Sequence, residues 1–282
     1  MPDYYGELTA ILGSPCAIVP IGVPVGQIPG GVAGENPAKT TVTTKGLGAG
    51  DGLVWTYSSA RNTWVGPQYY KGRNHVLHQK FAGPTNYLEA IDDDFWSLLA
   101  GVGDDGPCST GAWVNLVAGE QDTEKMLFNK LGTAGEWALS LGYPGANKFS
   151  LYFRDHSAAV FAERQSDAAL PLGRPIFIAA TSAGTGGATA ANGITLYSEG
   201  KVFASTAVNN ASYVAMENGA NVPAIGRRSG SATLGFTSIH VSVPGIFLCK
   251  KELSATEVAT INAIGLEMQK NFGLERRRLR GR

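Results

Sequence analysis

The stretch GITLYSEGKVFAS, residues 193–205, indicates the fold class of this chain. Ile194 and Leu196 alternate with polar residues, and Val202 and Ala204 repeat that alternation after a short polar interval. Because successive side chains of a strand point to opposite faces, each arm should have one buried and one exposed face. The Glu-Gly pair between the arms is suited to a tight turn. The stretch therefore predicts a hairpin in a half-exposed antiparallel sheet.

The composition favours many short strands over long helices. Among 282 residues there are 37 glycines and 14 prolines, and only 16% of the residues are charged. Frequent turn residues with few charges are typical of strands joined by tight turns. The hydrophobic content of 44% is sufficient for a packed core. We therefore expect an all-β domain.

The charge balance and the N-terminal residues exclude several classes of partner. The 23 basic residues match the 23 acidic ones, so no global field attracts nucleic acid or an anionic membrane. No run of apolar residues is long enough to span a bilayer. Asp3 and Glu7 stand where a signal peptide has basic residues, so secretion by that route is not expected.

The chain has three cysteines, Cys16, Cys108 and Cys249. Their number is odd, and their spacing matches neither a disulfide framework nor a zinc site. Free cysteines are among the residue types most often buried. The sequence therefore predicts three buried free thiols.

Residues 1–70 are predicted to form an extended N-terminal arm with a small β-hairpin. Residues 13–52 are rich in glycine, proline and threonine without helical periodicity, which predicts an extended segment with one short strand at residues 40–44. Such a segment needs a neighbouring subunit to order it. The stretch GDGLVWTYSSARNTWVGP places Trp55 and Trp64 on two runs that predict the hairpin. The two rings are interpreted as a packing cluster, with a ligand-stacking platform as the alternative.

The remaining chain divides into a β-rich region and a helical end. Short apolar or alternating runs separated by glycine, asparagine or proline fill residues 71–253 and predict a two-sheet antiparallel sandwich. In residues 254–282, Ser254 and Glu257 form a capping box before apolar residues spaced by three and four. One C-terminal helix is therefore predicted, with residues 71–265 as an independently folding unit. A basic tail follows, containing Arg276, Arg277 and Arg278.

Six segments occur in an order that supports this division. They are KFAGPTNYLEA (80–90), STGAWVNL (109–116), LFNKLGTAGEWALSL (127–141), RPIFIAATSAG (174–184), ITLYSEGKVFAS (194–205) and the closing run FTSIHVSVPGIFLCKKELSATEV (236–258). Together they resemble the laminin-G-like, concanavalin-A-like jelly roll in the form common in bacterial and bacteriophage proteins. The resemblance implies a two-sheet jelly-roll sandwich. Ser238-Ile239-His240 stands where many members have paired aspartates, which argues against an inherited calcium site.

One acidic run matches the spacing of a hydrolase motif. Concanavalin-like glucanases carry three carboxylates on one strand face, and Glu120, Asp122 and Glu124 have that spacing. The residues between them, Gln121 and Thr123, are polar where those enzymes have core-anchoring apolar residues. We interpret the run as a solvated loop, and a glycoside hydrolase is the less favoured alternative.

Aspartates provide the candidate metal ligands. Carboxylate oxygens are the ligands that calcium prefers. Three adjacent aspartates cannot all face one point, so a turn-capping role before FWSLL is favoured for residues 92–94. No cofactor is therefore predicted, and a calcium site is the alternative. The candidate ligands are Asp92, Asp94, Asp104 and Asp105.

These features lead to two compatible hypotheses about function. The first is a non-enzymatic structural component of a virion, most specifically a bacteriophage tail-appendage, tail or capsid-surface protein. Its N-terminal arm and arginine tail would contact other virion proteins and further copies of the chain in a homo-oligomer. The predicted partner-binding residues are Trp55, Trp64, Arg276, Arg277 and Arg278. The second is a carbohydrate-binding module for a host surface glycan, because rim aromatics can stack on a pyranose ring. The predicted stacking residues are Trp137, Tyr143 and Tyr152.

Overall fold

The computed structural model describes residues 3–21, 41–57, 64–70, 74–83, 87–101, 104–116, 125–132, 136–228 and 236–280, with side chains in all but residues 41–42, 57, 64–83, 236–240, 243 and 272–280. In chain order the elements are α1 (Tyr4–Leu12), β1 (Cys16–Val19), β2 (Thr41–Thr43), β3 (Lys45–Leu47), β4 (Val54–Tyr57), β5 (Trp64–Tyr70), β6 (Asn74–Gly83), β7 (Leu88–Ala90), β8 (Leu99–Gly101), β9 (Asp104–Asp105), β10 (Cys108–Asn115), β11 (Lys125–Asn129), β12 (Trp137–Leu141), β13 (Phe149–Asp155), β14 (Val160–Ser166), β15 (Pro175–Ser182), β16 (Ile194–Ser198), β17 (Lys201–Val202), β18 (Ser205–Val208), β19 (Ala224–Ile225), β20 (Phe236–Cys249) and α2 (Ala255–Arg280).

Two antiparallel sheets contain most of these strands. Within the described ranges each sheet has nine strands, and β8 and β9 form a separate ribbon. The first sheet has the order β17-β16-β15-β10-β20-β1-β3, and β6 pairs with β20 and β5 with β6. The second has the order β18-β14-β13-β12-β11-β19-β7-β4-β2. This arrangement confirms the predicted two-sheet antiparallel sandwich.

The space between the sheets is filled by large apolar side chains. Trp55 lies edge-on to Trp96, with ring centroids 5.1 Å apart, and Phe128 lies edge-on to Trp137 at 4.9 Å. All four side chains are buried. Edge-to-face contacts of this kind add to the stabilisation from burial itself.

A second apolar layer lies on the outer face of the first sheet. Leu8 and Leu12 of α1 and Val258 and Ile261 of α2 pack there in one cluster with strand residues that include Trp113. The principal contacts of both helices are with strands of the first sheet. The helices therefore cover the first sheet and not the second.

The hairpin of residues 193–205 forms as predicted, with a different inward side chain. Glu199 and Gly200 have φ of 52° and 76°, which suits the two central residues of a type I′ turn. The ladder of β16 and β17 ends at Val202, which is 63% exposed. The Phe203 side chain packs against the core instead, and its ring centroid lies 5.8 Å from that of Phe149. The prediction of an inward Val202 was wrong because the turn pairs Val202 with Tyr197, which lies in the outer cluster of the first sheet, so both residues belong to the outer face.

The N-terminal segment contributes a helix that the sequence analysis did not predict. Asp3 caps α1, since its Oδ1 accepts a hydrogen bond of 3.0 Å from the Gly6 amide. Glu7 lies in the first turn, where a negative charge favours the helix. The N-terminal segment is thus partly helical where an extended arm was expected.

The described strands of the predicted arm belong to the two sheets. Strand β1 lies between β20 and β3 in the first sheet, and its residues are buried. The short strand expected at residues 40–44 is confirmed as β2, which pairs with β4 in the second sheet. Residues 22–40 of the predicted arm lie outside the described residues.

The predicted hairpin of Trp55 and Trp64 does not form. Strand β4, which carries Trp55, pairs with β2 and β7 in the second sheet. Strand β5, which begins at Trp64, pairs with β6 in the first sheet. Local alternation predicted both strands, but burial of Trp55 among Trp96 and Phe128 favours pairing with distant strands.

The C-terminal helix begins as predicted. Ser254 Oγ accepts from the Glu257 amide at 3.3 Å, and Glu257 Oε2 accepts from the Ser254 amide at 2.8 Å. The helix continues to Arg280, so the predicted basic tail is largely helical backbone. No helix in the described part of the chain combines the length and apolarity needed to cross a membrane.

The fragment of residues 71–265 tests whether the N-terminal strands are integral to the sandwich. It lacks β1, which covers the end of β20, and Trp55, which fills the core. We expect this fragment to show no cooperative thermal transition by circular dichroism. Loss of Trp55 leaves a cavity in the core, and loss of β1 leaves part of one edge of β20 unpaired. A melting temperature equal to that of the full chain would show instead that residues 71–265 form the independent unit that the sequence suggested.

Candidate functional site

The outer face of the second sheet carries a group of polar and aromatic side chains on β13 and β14. The antiparallel register places Tyr152 opposite Glu163 and Arg154 opposite Phe161. Because strand side chains alternate, these residues point away from the core between the sheets. The β13–β14 face consists of Tyr152, Arg154, Phe161, Glu163 and Gln165.

Phe161 presents an aromatic ring on this face. Its side chain is 41% exposed, and its ring lies edge-on to Tyr152 with centroids 5.4 Å apart. The Arg154 guanidinium carbon is 5.5 Å from the centroid of the Phe161 ring. The Tyr152 hydroxyl donates to Met126 Sδ at 3.3 Å. These contacts hold the Phe161 ring in place while leaving part of it open to solvent.

Polar groups lie beside this ring. Gln165 Nε2 donates to Glu163 Oε2 at 2.8 Å. Burial raises the pKa of Glu163, and hydrogen bonds from Ser150 and Gln165 act in the opposite direction. Ser140 and Ser150 share a hydrogen bond of 2.8 Å between their hydroxyls on the neighbouring strands. The β13–β14 face therefore presents one partly exposed ring beside amide and guanidinium groups, and the largely buried Glu163 carboxylate bonds the amide.

A buried ion pair lies elsewhere in the same sheet. Lys130 Nζ is 2.6 Å from Glu136 Oε1 and 2.9 Å from Asp92 Oδ1, and it donates to Ser97 Oγ at 2.7 Å. The side chains of Lys130 and Glu136 are 1% and 0% exposed. Burial raises the pKa of Glu136, while Lys130 and the Gly219 amide act in the opposite direction. The ion pair thus joins β11 and β12 to the connection that contains Gly219.

Two aspartates hold the same connection, residues 209–223, which contains no helix or strand. Asp105 accepts from the Tyr213 hydroxyl at 2.8 Å and from the Met216 amide at 2.7 Å. Burial raises the pKa of Asp105, and these two donors act in the opposite direction. Asp155 Oδ2 accepts from the Val214 amide at 3.1 Å. The carboxylates therefore replace the strand pairing that this connection lacks.

The candidate metal ligands do not form one site. Asp92 pairs with Lys130, whereas Asp105 binds Tyr213 and Met216. Among the side chains that the structure describes, no group of three or more histidine, cysteine, aspartate or glutamate residues is placed to hold a metal ion. The capping role is confirmed at Asp93, whose Oδ1 accepts from the Phe95 amide at 2.8 Å. Asp92 and Asp105 thus make separate structural contacts. The predicted metal ligands were Asp92, Asp94, Asp104 and Asp105.

The three predicted glycan-stacking residues lie in different places. Trp137 is fully buried, and its Nε1 donates to the Trp96 carbonyl at 2.8 Å, so its ring has no surface for a sugar. This assignment was wrong because Trp137 belongs to the core face of β12. Tyr143 is 39% exposed in the turn after β12. Tyr152 is 5% exposed and belongs to the β13–β14 face, beneath Phe161.

The other residues of this face were not predicted from the sequence. In VFAERQS, residues 160–166, Phe161, Glu163 and Gln165 alternate with Ala162 and Arg164. That alternation was a usable signal for a strand with one mixed aromatic and polar face.

The predicted partner-binding residues are only partly described. Trp55 is fully buried in the core and presents no surface to a partner, which contradicts that assignment. The side chains of Trp64 and of the arginine cluster Arg276, Arg277 and Arg278 lie outside the described residues. The hydrolase-like run Glu120, Asp122 and Glu124 also lies outside them.

Comparisons with known proteins show the fold. No family model and no curated protein sequence matches the chain. The botulinum neurotoxin serotype D binding domain matches 79% of this chain at 9% identity and a TM-score of 0.53, with 48% of that domain covered. The serotype G binding domain matches 79% at 12% identity and a TM-score of 0.51, with 48% covered. A structure of botulinum neurotoxin type C, whose cell entry depends on interaction with two ganglioside molecules, matches 80% at 9% identity and a TM-score of 0.50, with 49% covered.

The chain spans about half the length of these binding domains. At such identities the likeness extends to a β-sandwich of the jelly-roll kind. It carries no residue of those proteins to a position in this chain.

Replacing Lys130 with alanine tests the structural role of the buried ion pair. The substitution leaves the Glu136 carboxylate buried without its cation, which typically costs about 3–5 kcal/mol. Arg174→Ala is the matched control, because it breaks the exposed pair with Glu199, whose side chains are each 46% exposed. Exposed pairs contribute about 0–1 kcal/mol. Urea denaturation should therefore show a much larger loss for Lys130→Ala, and equal losses would contradict this role.

Proposed function

We propose that this chain is a non-enzymatic binding module that takes a glycan on the β13–β14 face. The observation that carries the proposal is the partly exposed Phe161 ring, fixed by Tyr152 and Arg154 beside a carboxylate and an amide. A pyranose has an apolar face of C–H groups and a rim of hydroxyls. An aromatic ring with neighbouring polar groups matches both parts.

The polar groups differ in what they can offer to a sugar. Arg154 can donate to hydroxyl oxygens, whereas Gln165 can both donate and accept. The Glu163 side chain is largely buried and bonded to Gln165, so it fixes the Gln165 amide beside the Phe161 ring. The affinity for a glycan would therefore depend first on stacking against Phe161 and next on hydrogen bonds from Arg154 and Gln165. Glu163 would contribute indirectly, by positioning the Gln165 amide.

The fold comparisons support a binding role as a class. The similar structures include a botulinum neurotoxin binding domain and a botulinum neurotoxin whose cell entry depends on interaction with two ganglioside molecules, and this chain shares with them a sandwich that covers about half their length. Sandwiches of this kind can display a ligand surface without catalytic groups. The choice of the β13–β14 face comes from this chain's own side chains.

The setting that we propose is a virion, specifically the tail or capsid surface of a bacteriophage. The support is the jelly-roll resemblance in its bacterial and bacteriophage form, together with the glycine- and proline-rich residues 22–40 and the arginine-rich C-terminal end. These two regions are proposed to contact other virion proteins and further copies of the chain. The sandwich would then present its second sheet to a host surface glycan.

Replacing Phe161 with alanine tests the binding face. Full-length protein would be screened on an array of sialylated and neutral oligosaccharides, and the strongest binder titrated by calorimetry. We expect Phe161→Ala to weaken binding about tenfold, because the stacking surface is lost. Leu266→Ala is the matched control, since Leu266 is 53% exposed on α2, which packs on the other sheet.

Two outcomes would contradict the proposal. One is that the wild-type protein binds none of the arrayed oligosaccharides. The other is that Phe161→Ala and Leu266→Ala bind as tightly as each other. Circular dichroism of both variants would establish that any loss comes from the face and not from unfolding.

A further inference from the structure

Two of the three cysteines lie directly opposite each other on neighbouring strands. In the antiparallel ladder of β1 and β20, Cys16 pairs with Cys249. In the next pair of residues, the Lys250 amide donates to the Pro15 carbonyl at 3.2 Å. Directly opposed residues alternate between hydrogen-bonded and non-hydrogen-bonded pairs, so Cys16 and Cys249 form a non-hydrogen-bonded pair. In such a pair the Cα atoms are about 4.5 Å apart and the side chains are at their closest.

This spacing fits the geometry of a disulfide. Bridged cysteines have Cα separations of about 4.4–6.8 Å and Cβ separations of about 3.5–4.5 Å. Cys16 and Cys249 point to the same side of the first sheet, into the apolar cluster that includes Leu8 and Leu253. Both are fully buried.

The third cysteine faces the other way. Cys108 belongs to the core between the two sheets, whereas Cys16 and Cys249 belong to the cluster beneath the helices. The backbone of the first sheet therefore separates the Cys108 thiol from the other two. Within one chain, Cys16 and Cys249 are the two thiols placed for pairing.

We propose that Cys16 and Cys249 are a redox modification site, forming a cross-strand disulfide when a low-molecular-weight disulfide such as oxidised glutathione reaches them. One cysteine thiolate attacks a glutathione sulfur and releases one glutathione thiolate. The second cysteine attacks the resulting mixed disulfide and releases the other. One protein S–S bond forms and one glutathione S–S bond breaks. The two thiol protons and two electrons leave with two molecules of reduced glutathione.

Access to this pair is controlled by helix α1. Cys16 Sγ donates a weak hydrogen bond of 3.9 Å to the Thr9 carbonyl of α1, and Leu8 and Leu12 cover the same cluster. Burial raises the pKa of Cys249 to about 12 and also raises that of Cys16. Because the thiolate is the reactive form, oxidation of the closed fold is slow and follows displacement of α1 or accompanies folding.

The disulfide would join the N-terminal strand to the last strand of the sandwich. The loop that it closes contains most of the chain, and long closed loops restrict the unfolded state most strongly. The oxidised protein should therefore have a higher melting temperature than the reduced protein. Displacement of α1 would then no longer release β1.

The test uses the full chain refolded from urea with oxidised and reduced glutathione. Thiols are counted under denaturing conditions, and linked peptides are identified by mass spectrometry. We expect free thiols to fall from three to one per chain, with Cys16 and Cys249 in one linked peptide. Cys108→Ser is the matched control and should still form the bond, whereas Cys249→Ser should keep both of its thiols.

The wild-type measurement decides the proposal even if a variant fails to fold. Three free thiols after refolding with excess oxidised glutathione would overturn it. A linked peptide that contains Cys108, or one that joins two chains only, would overturn it as well.

Discussion

The sandwich depends on the close approach of two backbones at Gly245. Strand β20 pairs with β10 along one edge, while its other edge pairs first with β6 and then, beyond Gly245, with β1. Gly245 has φ of 122°, and a Cβ at this position would lie 2.1 Å from the Val19 carbonyl oxygen. A side chain there would separate β1 from β20. The helices that cover the first sheet rest on this pairing, since α1 directly precedes β1 and α2 follows β20.

This arrangement gives the two sheets different roles. Helices α1 and α2 cover the outer face of the first sheet, which places Cys16 and Cys249 beneath them. The second sheet keeps an outer face on which Phe161 is partly exposed. The connection of residues 209–223 adds no strand, and Asp105, Glu136 and Asp155 hold its backbone instead. These three carboxylates therefore stabilise the architecture, and the proposed ligand chemistry lies on the face of β13 and β14 that carries the partly exposed Phe161 ring.

Local signals in the sequence predicted local structure well. The Glu-Gly turn and the capping box of Ser254 could both be predicted, because the residues that form each of them lie close together in the sequence. The pairing of β1 within the first sheet could not be predicted, since its partner β20 lies near the other end of the chain. Trp55 and Trp137 were assigned to surfaces although both lie in the core, because alternation reveals that a strand has two faces but not which one is buried. For the same reason the sequence contained the alternation of Phe161, Glu163 and Gln165 without showing that it faces outward.

We propose that the outer face of the second sheet is the binding surface. The most direct test is to record backbone amide chemical shifts of the full-length protein while the strongest-binding oligosaccharide is added. We expect the largest shift changes in β13 and β14, with smaller changes in the neighbouring β12 and β18. Changes centred on the helices, on the turn that contains Tyr143, or on the first sheet would contradict it.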